Sequence, residues 1–239
     1  MRKLIAVVLV AVAAAVAGPV QAADLIEYPP IEVPEVDYGL EGSFYLRGSV
    51  AGNALWARNQ EYIDLCACVP GLSTAAVTGL GYGYSFGAGF GYETGTGLRA
   101  DVTLDHLHNR GLTDGTRELE LRSTIVLANA YYDFGLGDFG SAAGGFGAYV
   151  GAGIGGGYNW THVTGPGAGA DGGSWAPAGA LMTGVTYDMG NMVADLGYRM
   201  IYMPQVSNGV AALSAGQSPF YINNAVTHEV RGTLRYRFN

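Results

Sequence analysis

The residues of this chain that could do chemistry are a thiol pair, a few imidazoles and a long series of alternating charges. Cys66-Ala67-Cys68 sets two thiols one residue apart, and in an exported chain the simple readings are a strained local disulfide or an intermolecular bridge. A metal site would need further ligands, and the nearby Glu61 and Asp64 are oxygen donors that match soft thiolates poorly. His106 and His108 share one side of an extended segment, with His162 farther along. Such imidazoles could ligate haem iron or another transition metal, and the competing reading is ordinary rim polarity. Hydrolysis would need a nucleophile, a base and an orienting acid that converge. Ser73, Ser207, Ser214 and Ser218 stand in no spacing that couples them to a histidine. No enzyme activity and no cofactor are therefore expected.

The charges are the most ordered of these groups. In the closing segment Val230, Leu234, Tyr236 and Phe238 fall on one parity and Glu229, Arg231, Arg235 and Arg237 on the other. Side chains alternate sides along a strand, so one face suits hydrocarbon and the other is densely charged. The same division recurs upstream. Phe44, Leu46 and Val50 oppose Tyr45 and Arg47; Leu98, Ala100, Val102 and Leu104 oppose Arg99, Asp101 and Asp105; Leu196, Tyr198 and Met200 oppose Asp195 and Arg199.

The elements that carry this pattern number eight, at about 42–51, 80–92, 98–107, 118–134, 143–160, 174–188, 192–203 and 223–238. Long connections near 52–79, 108–117, 161–173 and 204–222 alternate with short ones at 93–97, 135–142 and 189–191. Long loops on one side and tight turns on the other are the habit of an outer-membrane barrel. The fold class is therefore all-β: an eight-stranded antiparallel transmembrane β-barrel with short periplasmic turns, long extracellular loops and both termini in the periplasm. Glycines alternate with aromatic or apolar residues in the second and fifth segments, at 81, 83, 87, 89 and 91 and again at 147, 151, 153, 155 and 157. Inward glycines would leave room for arginines reaching in from other strands.

Composition agrees with an exported barrel. Arg2 and Lys3 precede an apolar run from Leu4 to Ala17, and Val20-Gln21-Ala22 offers a small-residue cleavage site, so residues 1–22 read as a secretory signal peptide. Its removal takes two basic residues from a formal charge of −8, giving about −10, and Lys3 is the only lysine. Such a balance argues against nucleic acid as a partner. No later run reaches the roughly 18 apolar residues of a membrane helix, whereas 39 glycines and 16 tyrosines suit a barrel. Residues 23–41 hold Asp24, Glu27, Glu32, Glu35, Asp37 and Glu41 with Pro29, Pro30 and Pro34, and no basic residue. They read as an extended acidic periplasmic tail ahead of a barrel over 42–239, serving as a spacer or as a peptidoglycan or protein contact.

The inward set collects Arg47, Arg99, Arg122, Arg199, Arg231, Arg235 and Arg237 against Asp101, Asp105, Glu118, Glu120, Asp195 and Glu229. An eight-stranded barrel is just wide enough for its own side chains, so these groups are expected to pair and fill the lumen; a narrow ion pathway is the alternative. On this reading the fourth segment is irregular, because Asn129 breaks the parity set by Glu118, Glu120 and Arg122; either a bulge shifts the register or Asn129 sits at the periplasmic interface. Trp160 and Trp175 near the third long loop, and Tyr92, Tyr131, Tyr132, Phe134, Tyr187 and Phe238 near the short turns, would form the two interfacial girdles.

Gly42-Ser43-Phe44-Tyr45-Leu46-Arg47-Gly48, Leu98-Arg99-Ala100-Asp101-Val102, Asn129-Ala130-Tyr131-Tyr132-Asp133-Phe134, Tyr149-Val150-Gly151-Ala152-Gly153-Ile154-Gly155, Leu196-Gly197-Tyr198-Arg199 and Arg235-Tyr236-Arg237-Phe238 together resemble the opacity-type small outer-membrane proteins of alphaproteobacteria. The resemblance implies an eight-stranded barrel serving envelope integrity, surface antigenicity and adhesion, with haemin binding in some relatives and no catalytic residues. It also implies a terminal aromatic signal read by the barrel assembly machinery, matched by Tyr236 and Phe238, although Asn239 follows. The partners so expected are outer-membrane lipid and lipopolysaccharide, that machinery, and a surface or host ligand at the loops.

Overall fold

In a computed structural model of the chain, residues 42–64, 71–135, 145–165, 171–210 and 219–238 are described. The signal peptide, the acidic tail, Cys66, Cys68 and Asn239 lie outside them. The strands are β1 (Ser43–Trp56), β2 (Asn59–Asp64), β3 (Gly71–Ala76), β4 (Gly81–Glu93), β5 (Leu98–Thr113), β6 (Glu118–Gly135), β7 (Phe146–Thr164), β8 (Gly172–Asp188), β9 (Met192–Ser207) and β10 (Phe220–Phe238).

β1, β4, β5, β6, β7, β8, β9 and β10 pair in that order, each antiparallel to the next, and β10 returns to β1 to close an eight-stranded barrel. Closure leaves these strands no free edge, which hydrocarbon requires because it offers backbone groups no partner. The strands run longer than the segments marked from alternation. β5 continues to Thr113, so the expected long loop at 108–117 is mostly strand, ending in a tight turn where Asp114 Oδ1 accepts from the Thr116 and Arg117 backbone N–H groups. A shift of register between Asn109 and Leu112, with Gly111 at φ 85°, is the bulge that bends this extension.

The first long connection is not a plain loop. It holds the β2–β3 hairpin, and β2 continues the wall by pairing with the N-terminal end of β10. The change of partner on β10, from β1 to β2, falls at Asn224, which has φ 55°. Asparagine tolerates the left-handed region better than most side chains, and the Tyr202 hydroxyl donates to Asn224 Oδ1 at 2.7 Å.

The wall divides as alternation requires. Large apolar side chains such as Leu46, Phe90, Val102, Ile154 and Val230 are exposed on the outside, Ile154 at 75%. A soluble protein does not leave a continuous apolar belt in water, so the outer face is a lipid-facing surface. Aromatic contacts at the short-turn end include Phe44 with Phe90 and Tyr92, and Phe146 with Tyr187; Tyr158 packs on Trp175 at the opposite end. These are the two girdles, with one correction: Tyr131 is 4% exposed and points into the barrel.

Candidate functional site: the filled lumen

The inward residues form two stacked layers. The layer nearer the short turns is ionic. Arg47 Nη1 donates to Asp101 Oδ2 at 2.8 Å and to the Tyr131 hydroxyl at 2.8 Å, while the Tyr45 hydroxyl and Asn129 Nδ2 donate to the same carboxylate. Arg199 bridges Asp105 at 2.8 Å and Glu229 at 2.5 Å, Arg231 also contacts Asp105, and Ser85 donates to Glu229. Arg235 grips Asp195 with two N–H groups, at 3.0 and 3.1 Å. At the rim Arg99 forks onto Asp133, Arg235 also reaches Glu93, and Arg237 joins Glu93 to Asp188. The Arg99 guanidinium lies 4.0 Å from the centre of the Tyr131 ring, so the aromatic face adds a cation–π contact.

The other layer is largely apolar. Leu55, Leu107, Leu112, Leu119, Leu121, Ile125, Leu127, Ile201, Met203, Val206, Phe220 and Ile222 are each at most 1% exposed. Buried polar residues interrupt it: Gln60, Asn109, Thr161 and Thr227 lie within it, Ser123 donates to Asn159 at 2.6 Å, and the side-chain amide of Gln60 has no partner among the described residues. The change of chemistry falls between neighbouring inward positions: Asp105 to Leu107 on β5, Asn129 to Leu127 on β6, and Arg199 to Ile201 on β9.

Small residues make this filling fit. A Cβ on Gly87 would lie 2.1 Å from Asp105 Oδ1, and one on Gly153 would lie 2.1 Å from Asn129 Oδ1. The inward glycines therefore accommodate carboxylates, amides and tyrosines as well as arginines.

Arg47, Arg99, Asp101, Asp105, Asp195, Arg199, Glu229, Arg231 and Arg235 are buried inside the barrel. Arg237 stands at the rim. Glu118, Glu120 and Arg122 do not belong to the set. β6 carries its odd-numbered residues inward, so Leu119, Leu121, Ile125, Leu127, Asn129 and Tyr131 fill the lumen while Glu118, Glu120 and Arg122 face out. Asn129 is thus regular, with neither a bulge in β6 nor an interfacial position to explain. The inversion is physical: at this height the interior is largely apolar, and the charges find their partners on the outer wall. There Arg110 and Arg122 share the Glu120 carboxylate at 3.1 and 2.6 Å.

His106 and His108 are also on the outer wall. His106 Nδ1 contacts Thr124 Oγ1 at 3.1 Å; His108 Nδ1 contacts the Tyr84 hydroxyl, and its Nε2 meets Arg110 and Glu120. Tyr236 and Phe238 are exposed on the lipid-facing side, packed edge to face.

Tyr45, Glu93, Asp133, Tyr149 and Asp188 are interior or rim partners that alternation did not single out. The inward parity of Tyr45 was readable beside Arg47. Glu93 and Asp188 close on arginines of β10 two strands away, a relation no local spacing encodes, while Asp133 and Tyr149 meet partners on neighbouring strands.

No family model matches this chain, and no curated protein matches it. Among solved structures, the chain is similar to Neisserial surface protein A at 21% identity with TM-score 0.49, covering 82% of this chain and 97% of that one. It is also similar to the outer membrane protein OprG from Pseudomonas aeruginosa at 19% identity with TM-score 0.46, covering 83% and 96%. A third likeness is to the outer membrane protein AlkL, at 14% identity with TM-score 0.41, covering 93% and 97%.

Proposed function

We propose that this protein is a sealed barrel of the outer membrane of a Gram-negative bacterium, with a role in envelope integrity and surface interaction. The observation that carries this reading is the double filling of the lumen. Ions cannot cross a layer in which buried arginines and carboxylates are locked to one another without breaking several pairs. Beyond it, an ion would meet a second layer packed mainly with apolar side chains, which an ion must displace to pass. The narrow porin is accordingly the lesser reading.

On this proposal the short turns and the C-terminus face the periplasm, while the β2–β3 hairpin and the ends of the longest strands stand outside the cell. The outward Arg110, Arg122 and Glu120 then sit at the headgroups of the outer leaflet, where lipopolysaccharide phosphates are the natural contact, and the surface ligand belongs to the hairpin and loops. Tyr236 and Phe238 remain the residues offered to the assembly machinery. Membership of the opacity-type group, resting on the motifs quoted above, fits the same role.

Single-channel recording of the refolded protein in a planar bilayer tests the central claim. A silent bilayer is expected, with insertion shown independently by protease protection. Stable unitary steps that change on Arg199→Gln would overturn it and make the protein a narrow porin.

A further inference from the structure

β3 ends the sheet: its ladder is with β2, and among the described residues no strand pairs with its other edge. The reason lies in the strand that would have covered it. Beyond Ala76 the chain runs on towards β4, and there Thr78 N donates to Thr113 O at 2.8 Å and Gly79 bridges to Thr113. Thr113 is the last residue of β5, which turns back through Asp114 into β6. β3 therefore runs past the end of β5, and the place beside it is left open.

The direction of its backbone groups follows from the same bonds. Val77 N donates towards β2, to Arg58 O at 3.5 Å, and Thr78 N towards β5. Counting back by twos, Gly71, Ser73 and Ala75 direct their N–H and C=O groups at β2, whereas Leu72, Thr74 and Ala76 direct theirs at the unpaired side. An idle edge of this kind is a liability that proteins blunt with charge, proline or a bulge. Gly71-Leu72-Ser73-Thr74-Ala75-Ala76 carries no charge and no proline, and its register with β2 is unbroken. Its small residues also leave space for larger cross-strand neighbours. The charge behind the edge is acidic, since β2 carries Glu61 and Asp64 and no basic residue. Arg117, over the Tyr62 ring at 3.6 Å, is itself paired with Asp114.

We propose that the outer edge of β3 docks an extended, basic segment of another polypeptide, about six residues long, which adds a strand in the line that β5 vacates. Main-chain hydrogen bonds to Leu72, Thr74 and Ala76 hold it, and the acidic β2 favours lysine or arginine in it over aspartate or glutamate. That this partner meets the protein outside the cell rests on the orientation proposed above; the docking edge itself does not.

The test uses the refolded full chain in detergent and an N-acetylated heptapeptide of alternating valine and threonine with a lysine at each end, read by amide hydrogen exchange. In the free protein the Leu72, Thr74 and Ala76 amides should exchange freely while those of Ser73 and Ala75 are protected, and the peptide should slow the first set alone. The same peptide N-methylated at all its amides should lose binding. One ended by glutamates should bind about tenfold more weakly at low salt and equally at high salt. Thr74→Pro removes an outward N–H, keeps the ladder to β2 and should abolish the protection, whereas Thr74→Ala should keep it. Should Thr74→Pro fail to refold, the methylated peptide reads the same contact without a variant. No protection by the lysine peptide, outward amides already protected in the free protein at every dilution, or equal binding of the methylated peptide would overturn the proposal. Protection that grows with the protein's own concentration would give the edge to a second copy and overturn it as well. Labelled peptide that binds the refolded protein but not intact cells would keep the docking edge and refute the outward placement of the hairpin.

Discussion

The two layers of the lumen stand on the same strands, obey the same alternation and are equally buried, yet one is held by paired charges and the other by leucine, isoleucine and methionine. The comparison separates two ways of filling a narrow barrel. The ionic layer is specified by partners: Arg199 has to meet both Asp105 and Glu229, contributed by β5 and β10, before burial of any of the three is tolerable. The apolar layer is specified by volume, and many shapes of similar size would serve. An ionic layer should therefore fail abruptly when one member is lost, and an apolar layer in proportion to what is removed.

The sharpest way to break the contrast is Arg199→Ala. It strands Asp105 and Glu229 in the interior and should cost about 3–5 kcal/mol, measured by urea unfolding of the refolded protein and by loss of the heat-modifiable gel band. Leu127→Ala in the apolar layer should cost about 2–4 kcal/mol through the cavity it leaves, and Leu127→Met should recover most of that. If Arg199→Met were as mild as Leu127→Met, the distinction between partner and volume would collapse.

Glycine substitutions sharpen the comparison between inside and outside. Gly153→Ala drives a methyl against Asn129 Oδ1, an overpacking expected to cost about 1–3 kcal/mol. Gly48→Ala, on the lipid-facing wall, meets no atom within 4 Å and should leave the unfolding midpoint unchanged.

The smallest expected effect belongs to the turn between β5 and β6. Burial pushes the Asp114 carboxyl up, but the backbone N–H groups of Thr116 and Arg117, the Thr116 hydroxyl and the Arg117 charge outweigh it and hold the carboxyl below its ordinary range. A carboxyl depressed in the folded state stabilises above its unfolded pKa, and that contribution is lost as pH falls through the ordinary carboxylate range to the folded value. The protection factors of the amides in this turn, taken relative to the intrinsic exchange rate at each pH, should fall on acidification in the wild type and stay level in Asp114→Asn.

The contrast between layers was only half legible in advance. Where one parity is charged and the other apolar, as in Arg99–Asp105 or Glu229–Arg237, the assignment of faces follows from the residues, because only one side can meet lipid. β6 defeats that rule. Its N-terminal half offers charges on one parity and leucines on the other, and the charges lie outward because the lumen beside them is filled mainly by apolar side chains. Reading the strand from Asn129 and Tyr131 backward would have set the parity correctly.

Alternation, loop lengths and glycine placement were enough by themselves to determine an eight-stranded barrel, its lipid-facing side and most of the buried charges, since a period of two is a local property of the chain. Tertiary structure alone decided which arginine meets which carboxylate, where the ionic layer gives way to the apolar one, and that the first long connection folds into a hairpin that extends the wall. Those facts depend on the stagger between strands and on contacts between residues as far apart as Arg231 and Asp105, and barrel closure fixes both at once.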